Sequence, residues 1–356
     1  MMSANSSTPA ATVGAGNPSC VDNETLRIPL AVLYSVICVL GLAGNLLALW
    51  VFFCVPSKKN SVRVFLMNLA FADLLLVVCL PFRIHYHSLG NKWTLSPVLC
   101  KAVGHLFYMN MYISITLVGL ISIDRYMKIY GNTGMRRRLQ STTWSTVLCV
   151  VIWIMAFGLL VPFVISTNSS DSTMCFHYRK VEKLWKAHIN ICLLIVFWLV
   201  FISLMVFYGR IAHKLLRRSQ KKPDLPTAPH YNRTAKKSFF ILFLFIICFV
   251  PYHVVRVFYI QTQITDTFCY WQNVADKANE IALVFSALNS CLDPIMFFLL
   301  SSAVRKEVRH FISSVFHTQD ISGVSRTSSI ADIEGRNDHG QLNNIPISNF
   351  TTHETL

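Results

Sequence analysis

Seven long apolar runs, separated by short polar segments, organise this chain: Ile28 to Val55, Val64 to Ser88, Pro97 to Ile129, Thr142 to Ser166, Ala187 to Lys214, Lys236 to Thr262 and Val274 to Leu300. A helix needs roughly 20 residues to cross a hydrocarbon core about 30 Å thick, and every run is that long. None alternates apolar and polar residues with the period of two that a barrel strand requires, so helices are the expected way to satisfy the backbone in lipid. The expected fold is all-α, a seven-transmembrane helix bundle. Beyond the last run, Val304, Val308, Phe311, Ile312, Val315 and Phe316 recur at helical spacing beside Arg305, Lys306 and Arg309. That pattern predicts a short amphipathic eighth helix lying on the membrane surface.

The polar ends complete the expected organisation: an extracellular, glycosylated segment over 1–27, the membrane domain over 28–300, the surface helix over 301–317 and a disordered cytoplasmic tail over 318–356. No cleavable signal peptide precedes the first run, so the first helix is expected to direct insertion. Composition agrees, because 53% hydrophobic and 14% charged residues leave too little polar surface to clothe a soluble globule of 356 residues. The net charge of +15 is concentrated in one set of loops, at Lys58, Lys59 and Arg63, at Arg136, Arg137 and Arg138, at Arg217, Arg218, Lys221, Lys222, Lys236 and Lys237, and at Arg305, Lys306 and Arg309. Short cation-rich loops stay cytoplasmic, which puts the N-terminus outside and the C-terminus inside a multi-pass plasma-membrane protein. Basic runs flanking apolar spans read as topology determinants, so no nucleic-acid partner is expected. The Asn-X-Ser/Thr sequons at Asn5, Asn23 and Asn168 fall on the outer side, where glycosylation occurs.

Eleven cysteines sort on the same map. Cys38, Cys54, Cys79, Cys149, Cys192, Cys248 and Cys291 lie within or at the inner ends of the spans and read as small core residues. Cys20, Cys100, Cys175 and Cys269 fall in the oxidising compartment, where four cysteines allow three pairings. The expected pairs are Cys100 with Cys175 and Cys20 with Cys269. No Cys-X-X-Cys or His-Glu-X-X-His spacing supports a metal centre.

Polar groups inside the spans cost roughly 2.5 to 3.5 kcal/mol for a central charge, so each is a functional candidate. They are Asn45 after Gly44, Asp73 in Leu69-Ala70-Phe71-Ala72-Asp73, Asp124-Arg125-Tyr126 at the end of the third run, Trp153 in the fourth, Cys248-Phe249-Val250-Pro251 in the sixth, and Asn289 with Asp293-Pro294-Ile295-Met296-Phe297 in the seventh. In this order, over almost the whole chain, the constellation resembles the rhodopsin-like G-protein-coupled receptors. The resemblance implies a heterotrimeric G protein as partner, with Asp124, Arg125, Tyr126, Tyr208, Pro251, Asp293, Pro294 and Phe297 as coupling and switch positions. It implies that Arg125 is released to meet the G protein when the sixth helix swings out; a plain structural salt bridge to Asp124 is the alternative. Pro251 removes a backbone hydrogen bond and suits a hinge, though prolines also kink membrane helices for static packing. Asp73, Ser114, Asn289 and Asp293 offer hard oxygens at mid-membrane depth. In the resembled family such residues surround an allosteric sodium ion, and a hydrogen-bonded polar core without an ion is the other reading. No other cofactor is expected. Two departures stand out: Phe297 replaces the family's seventh-helix tyrosine, and Val200 stands where many members carry proline.

Ligand choice must be read from the outer halves of the spans. Arg83 lies two residues beyond Pro81, Tyr108 lies in the upper third run, and Tyr252, His253, Arg256 and Tyr259 share the outer half of the sixth. On the seventh, Asn279, Leu283, Ser286, Ser290 and Asp293 step by four, three, four and three, which places Asn279 on the bundle-facing stripe with Glu280 as its neighbour. Two guanidinium groups facing a common cavity repel each other unless an anion joins them, and their planar forks suit phosphate and carboxylate. The plainer alternative is that Arg83 and Arg256 snorkel to water or pair with Glu280. A polyphosphate would want more cations and no nearby carboxylate. Glu280, by contrast, can accept the ammonium of a zwitterionic head while the arginines hold its phosphate and carboxylate, which is phosphoserine chemistry. Phe107, Phe258, Leu283 and Val284 are candidates for an acyl chain, and equally for core or lipid-facing positions.

The segments Asn91-Lys92-Trp93-Thr94-Leu95, Leu106-Phe107-Tyr108-Met109-Asn110-Met111-Tyr112, Thr173-Met174-Cys175-Phe176-His177-Tyr178-Arg179 and Asn289-Ser290-Cys291-Leu292-Asp293-Pro294 narrow the resemblance to the lysophosphatidylserine receptors of the purinoceptor-like branch. It implies a lysophospholipid agonist, most simply lysophosphatidylserine, an inhibitory-class G protein, and ligand contacts at Arg83, Tyr108, Arg256, Tyr259, Asn279 and Glu280, with Tyr252 and His253 beside them. A nucleotide or nucleotide-sugar receptor of the same branch is the alternative. A transporter is more remote, because no internal repeat with broken half-helices is evident. No enzyme is expected, since the few buried carboxylates lie at receptor-type positions. Ser322, Ser325, Thr327, Ser328 and Ser329 in the tail suit receptor kinases and arrestin as further partners.

Overall fold

The computed structural model describes residues 22, 24–56, 60–130, 134, 141–165, 175–176, 184–221, 228–265, 267–301, 303–310 and 313. Asn5, Cys20, Asn23, Asn168 and the tail serines lie outside the described residues. Seven helices are long and apolar enough to cross a membrane. They are α1 Arg27–Cys54, α2 Ser61–Ser88, α3 Pro97–Tyr130, α4 Thr142–Ile165, α5 Leu184–Lys221, α6 Ala228–Ile264 and α7 Cys269–Leu300. A short helix, α8, covers residues 303–310, and no strand occurs among the described residues. The chain divides into two units, Met1–Arg309 and His310–Leu356, and only residues 310 and 313 of the second are described.

Helices α5 and α6 run well past their apolar sequences at the basic end, to Lys221 and from Ala228. The α5 extension carries Arg217, Arg218, Gln220 and Lys221, good helix formers, and both extensions are hydrophilic enough that hydropathy does not mark their limits.

Local chemistry sets several ends. Asn60 caps α2, its Oδ1 accepting the Arg63 N–H at 2.9 Å. The helix stops where Gly90 and Asn91 turn into the left-handed region, at φ 70° and 57°. The Asn91 N–H then reaches back to the Tyr86 carbonyl at 3.0 Å, satisfying a backbone oxygen that the helix would otherwise leave unpaired. Asn91 tolerates the backbone because its Oδ1 also accepts from His87 Nδ1 at 2.8 Å.

Packing orders the bundle. α1 lies against α2 and α7, α6 against α5 and α7, and α3 touches α2, α4, α5 and α6. Of the apolar window in α3, 61% is buried against 11% in α4, which makes α3 the axis and α4 the most lipid-facing helix. The exposed side chains are themselves apolar, such as Val39, Phe53, Val78, Ile154 and Leu199. That is the surface a bilayer solvates, inverted from a protein in water. α1 approaches α7 closely at Gly44, where an added Cβ would lie 2.5 Å from Pro294 Cγ, so only glycine permits this contact. α6 and α7 continue through Pro251 and Pro294 as unbroken helices. Ala303 and Val304 of α8 are buried, and the Arg305 guanidinium donates to the Leu299 carbonyl at 2.6 Å, closing the end of α7.

Candidate ligand-binding site

One end of the bundle carries the disulfide between Cys100, at the start of α3, and Cys175, with their Cα atoms 5.8 Å apart. Cys175 packs with Tyr86, Trp93 and Phe176 in a small apolar cluster, so the loop is pinned across the helix ends. Cys269 is also disulfide-bonded, and its expected partner Cys20 lies outside the described residues. Cys38, Cys54, Cys79, Cys149, Cys192, Cys248 and Cys291 are free.

Just inside this end, the two arginines come to neighbouring residues of α7. Arg83, only 3% exposed, donates from Nη1 to the Tyr34 hydroxyl at 2.7 Å and stands 3.8 Å from Glu280 Oε2. Its Cζ lies over the rings of Phe107 at 4.5 Å and Phe176 at 4.6 Å. Such cation–π contacts contribute on the order of 0.5 to 2 kcal/mol each and make a buried guanidinium tolerable. Arg256 donates from Nη2 to Asn190 Oδ1 at 3.2 Å and from Nη1 to Asn279 Oδ1 at 3.5 Å, and its Cζ lies 4.8 Å from the centre of the Tyr259 ring. The Nε atoms of both arginines and Glu280 Oε2 are buried without a hydrogen-bond partner among the described residues. At 3.8 Å the Arg83–Glu280 pair is an ion pair and too long for a hydrogen bond, so both charges retain bonding capacity.

Aromatic contacts join the two cations: Phe107, which lies under Arg83, meets Tyr108 edge-on at 6.2 Å. Tyr108 meets Tyr252 at 6.0 Å, and Tyr108, Tyr252 and Tyr259 all surround the Arg256 guanidinium. His253 turns toward α5 and stacks on Phe197 at 3.5 Å, with Nδ1–H donating to the Phe249 carbonyl at 2.7 Å, so it supports these rings from behind. Asn279 and Glu280 are buried on α7, as are Leu283, Ser286, Ser290 and Asp293 on the stripe that the sequence spacing marks. Phe107, Leu283 and Val284 are buried, whereas Phe258 is 39% exposed and packs edge-on to Trp271. The sequence pattern singles out neither Tyr34 nor Asn190, which fix the two arginines from α1 and α5; an uncharged residue in an apolar run carries no periodic signal. Asp276 was detectable, as a charge four residues before Glu280 on the same helix face.

Deeper in the bundle lies a polar core. Asp73 Oδ1 accepts from Asn110 at 3.5 Å, and Asn289 donates to Asp293 Oδ2 at 2.8 Å. Asn45 Nδ2 donates to the carbonyls of Ser290, at 2.7 Å, and Gly41, at 2.9 Å, joining α1 to α7. Asp73 Oδ2, Ser114 Oγ and Ser286 Oγ are buried without hydrogen-bond partners among the described residues. Buried carboxyl and hydroxyl oxygens with bonding capacity to spare are the hard donors that a small cation takes.

At the opposite end, Asp124 is buried and Arg125 partly so. Tyr208 of α5 shares a 2.7 Å hydrogen bond with Ser122 of α3. Tyr126 stacks between Tyr130, at 4.9 Å, and Phe207, at 4.8 Å, and takes a hydrogen bond from Arg210 at 3.3 Å. Phe297 is fully buried with its ring edge-on to Phe52 of α1 at 6.0 Å. The hydroxyl lost at this position is thus replaced by apolar packing, and Tyr208 finds its partner on α3.

A seven-helix membrane bundle with this polar core and this end structure defines a receptor architecture. The sequence profile of the 7 transmembrane receptor (rhodopsin family) matches residues 44–297, and the chain belongs to that family of G-protein-coupled receptors, which are not enzymes. It is 47% identical over 290 residues to Probable G-protein coupled receptor 34 of Pan troglodytes, covering 80% of this chain and 76% of that protein. Against the Mus musculus protein of the same name the identity is 44% over 321 residues, or 89% and 84% of the two chains. Purinoceptor 14 of Bos taurus is 32% identical over 336 residues, 91% of this chain and 98% of its own. The multi-pass plasma-membrane location follows from the family.

Proposed function

We propose that this receptor detects a single-chain phospholipid with a zwitterionic serine head, lysophosphatidylserine, and signals through an inhibitory-class heterotrimeric G protein. One observation carries the reading: Arg83 and Arg256 reach adjacent residues of α7, Glu280 and Asn279, and a run of ring contacts through Phe107, Tyr108 and Tyr252 joins them, which brings two anion-binding forks and one carboxylate into one neighbourhood. A phosphate and a carboxylate on the ligand answer the two guanidinium groups, and its ammonium answers Glu280. Phe107 lies against the Arg83 guanidinium, and Leu283 and Val284 are buried on α7 within a turn of Glu280; these apolar residues suit the start of an acyl chain. On this reading the disulfide end faces outward, and the Arg125 end meets the G protein once α6 moves about Pro251. Tail phosphorylation by receptor kinases then recruits arrestin.

Likeness to a purinoceptor favours a second reading, an extracellular nucleotide or nucleotide sugar. The acids on α7 argue against it, because a polyphosphate gains nothing from Glu280. Replacing Glu280 with Gln separates the two. Potency for lysophosphatidylserine should fall about tenfold or more, the effect of losing one hydrogen bond to a charged group. A response to nucleotides that rises in E280Q, with the lipid curve unmoved, would support the nucleotide reading instead. In the polar core, Asp73, Ser114, Asn289 and Asp293 are the residues that would hold sodium, whose bound charge would favour the resting arrangement.

A further inference from the structure

Asp276 stands one helical turn from Glu280 on the inward face of α7 and is only 8% exposed. It makes no hydrogen bond and no ion pair with any described residue, although a cation adjoins it in sequence. Lys277 is engaged elsewhere: its ammonium lies 2.7 Å from Asp22 Oδ2, and Asn273, one turn further out, accepts the Asp22 N–H at 3.0 Å. Glu280, also 8% exposed, has its Oε2 without a hydrogen bond, and the Arg83 guanidinium facing it is 3% exposed with Nε unpartnered. Asp276, Glu280, Leu283 and Ala287 form one buried stripe of α7, so the two acids lie on the same face of the helix. Two acids four residues apart on a helix have Cβ atoms about 5 to 6 Å apart and repel each other when both are charged, a repulsion that a cation between them relieves.

We propose that Asp276 and Glu280 form a paired-carboxylate seat for a primary ammonium group, with Asp276 the second contact that makes the amine a requirement for binding. The inference rests on the head-group reading above and names the residue that enforces it. A primary ammonium has three N–H donors, and one carboxylate satisfies them poorly. Two carboxylates a turn apart accept from two of those donors at once while Arg83 and Arg256 hold the anionic groups. The same pair works against competitors, since a ligand bringing further phosphates toward α7 meets two negative charges.

The test compares lysophosphatidylserine with the same lipid in which hydrogen replaces the amine. Wild-type, D276N, D276E and E280Q receptors at matched surface density are read by activation and by displacement of radiolabelled lysophosphatidylserine. D276N is expected to weaken the serine lipid about tenfold or more and leave the deaminated lipid unchanged within about twofold, with D276E largely restoring the wild-type curve. Loss of the serine lipid in E280Q but not in D276N overturns the role of Asp276 and leaves the head-group reading standing. Equal losses for both lipids in D276N also overturn it, because a general packing defect ignores the amine. A wild-type receptor that neither binds nor answers the serine lipid overturns the head-group reading, and the seat with it.

Discussion

Replacing Arg256 with alanine probes the anion-binding half of the site most sharply. In the structure Nη1 donates to Asn279 and Nη2 to Asn190, while Nε–H has no partner among the described residues. A phosphate or carboxylate held by that fork makes two charge-assisted bonds. Losing one costs about 1.5 to 3 kcal/mol, and losing both about 3 kcal/mol or more, so agonist potency should drop at least tenfold and beyond a hundredfold for a fully engaged fork. R256K supplies an internal scale, because lysine keeps the charge and loses the planar fork, and its curve should fall between wild type and R256A. The assay is inhibition of stimulated cyclic AMP against agonist concentration, normalised to surface receptor measured by antibody. An unshifted R256A curve at normal surface density would refute the assignment, since Asn190, Asn279 and the three tyrosines around the guanidinium would then have no anion to present it to.

Three further outcomes follow from other parts of the molecule. Tyr208→Phe removes the buried hydrogen bond to Ser122 and should lower the thermal stability of the purified receptor by an amount equivalent to roughly 0.5 to 1.5 kcal/mol; an unchanged unfolding temperature would mean that the bond contributes nothing. Asp73→Asn should give the same agonist curve in sodium and in N-methylglucamine buffer, whereas the wild type should be less sensitive in sodium. A sodium effect that survives in D73N contradicts a cation seated there. Outside the membrane, Lys277, the Thr25 hydroxyl and the Glu24 N–H hold the Asp22 carboxyl well below its usual range. A depressed carboxyl contributes stability above its unfolded value near 3.9 and loses it only as pH falls through the lower folded value. D22N should therefore lower the unfolding temperature equally at pH 7 and pH 5, and a penalty that disappears by pH 5 would contradict the Asp22–Lys277 tie.

How far the sequence could be read depended on whether a residue's meaning lay in its own helix or across the bundle. The seven spans were legible because lipid imposes one length and one composition, and the inward stripe of α7 was legible because Asn279, Ser286, Ser290 and Asp293 interrupt an apolar helix at its own period. Elsewhere the helices are apolar on every face, as lipid permits, so periodicity could not distinguish buried Phe107 from outward-facing Phe258. In α5 and α6 the apolar runs marked the membrane-crossing lengths, while the hydrated extensions of these helices beyond them carry no apolar signal. Tyr34 and Asn190 acquire their roles only when α1 and α5 are brought beside Arg83 and Arg256, contacts that span 49 and 66 residues of chain. Phe297 was visible as a departure in the sequence, but its packing on Phe52 and the pairing of Tyr208 with Ser122 needed the folded bundle.

The most direct test of the account is a concentration–response series on the wild-type receptor with lysophospholipids that share one acyl chain and differ only in head group, run beside nucleotides and nucleotide sugars. The serine lipid should activate at the lowest concentration, because only it offers phosphate, carboxylate and ammonium together. Lipids with ethanolamine, choline or no head-group substituent should trail it by about tenfold or more, the scale of one lost charge-assisted bond, and the nucleotides should be inert. Activation by a nucleotide at lower concentration than any lipid, or equal activation by all head groups, would contradict the claim that Arg83, Arg256 and Glu280 read a zwitterionic serine head.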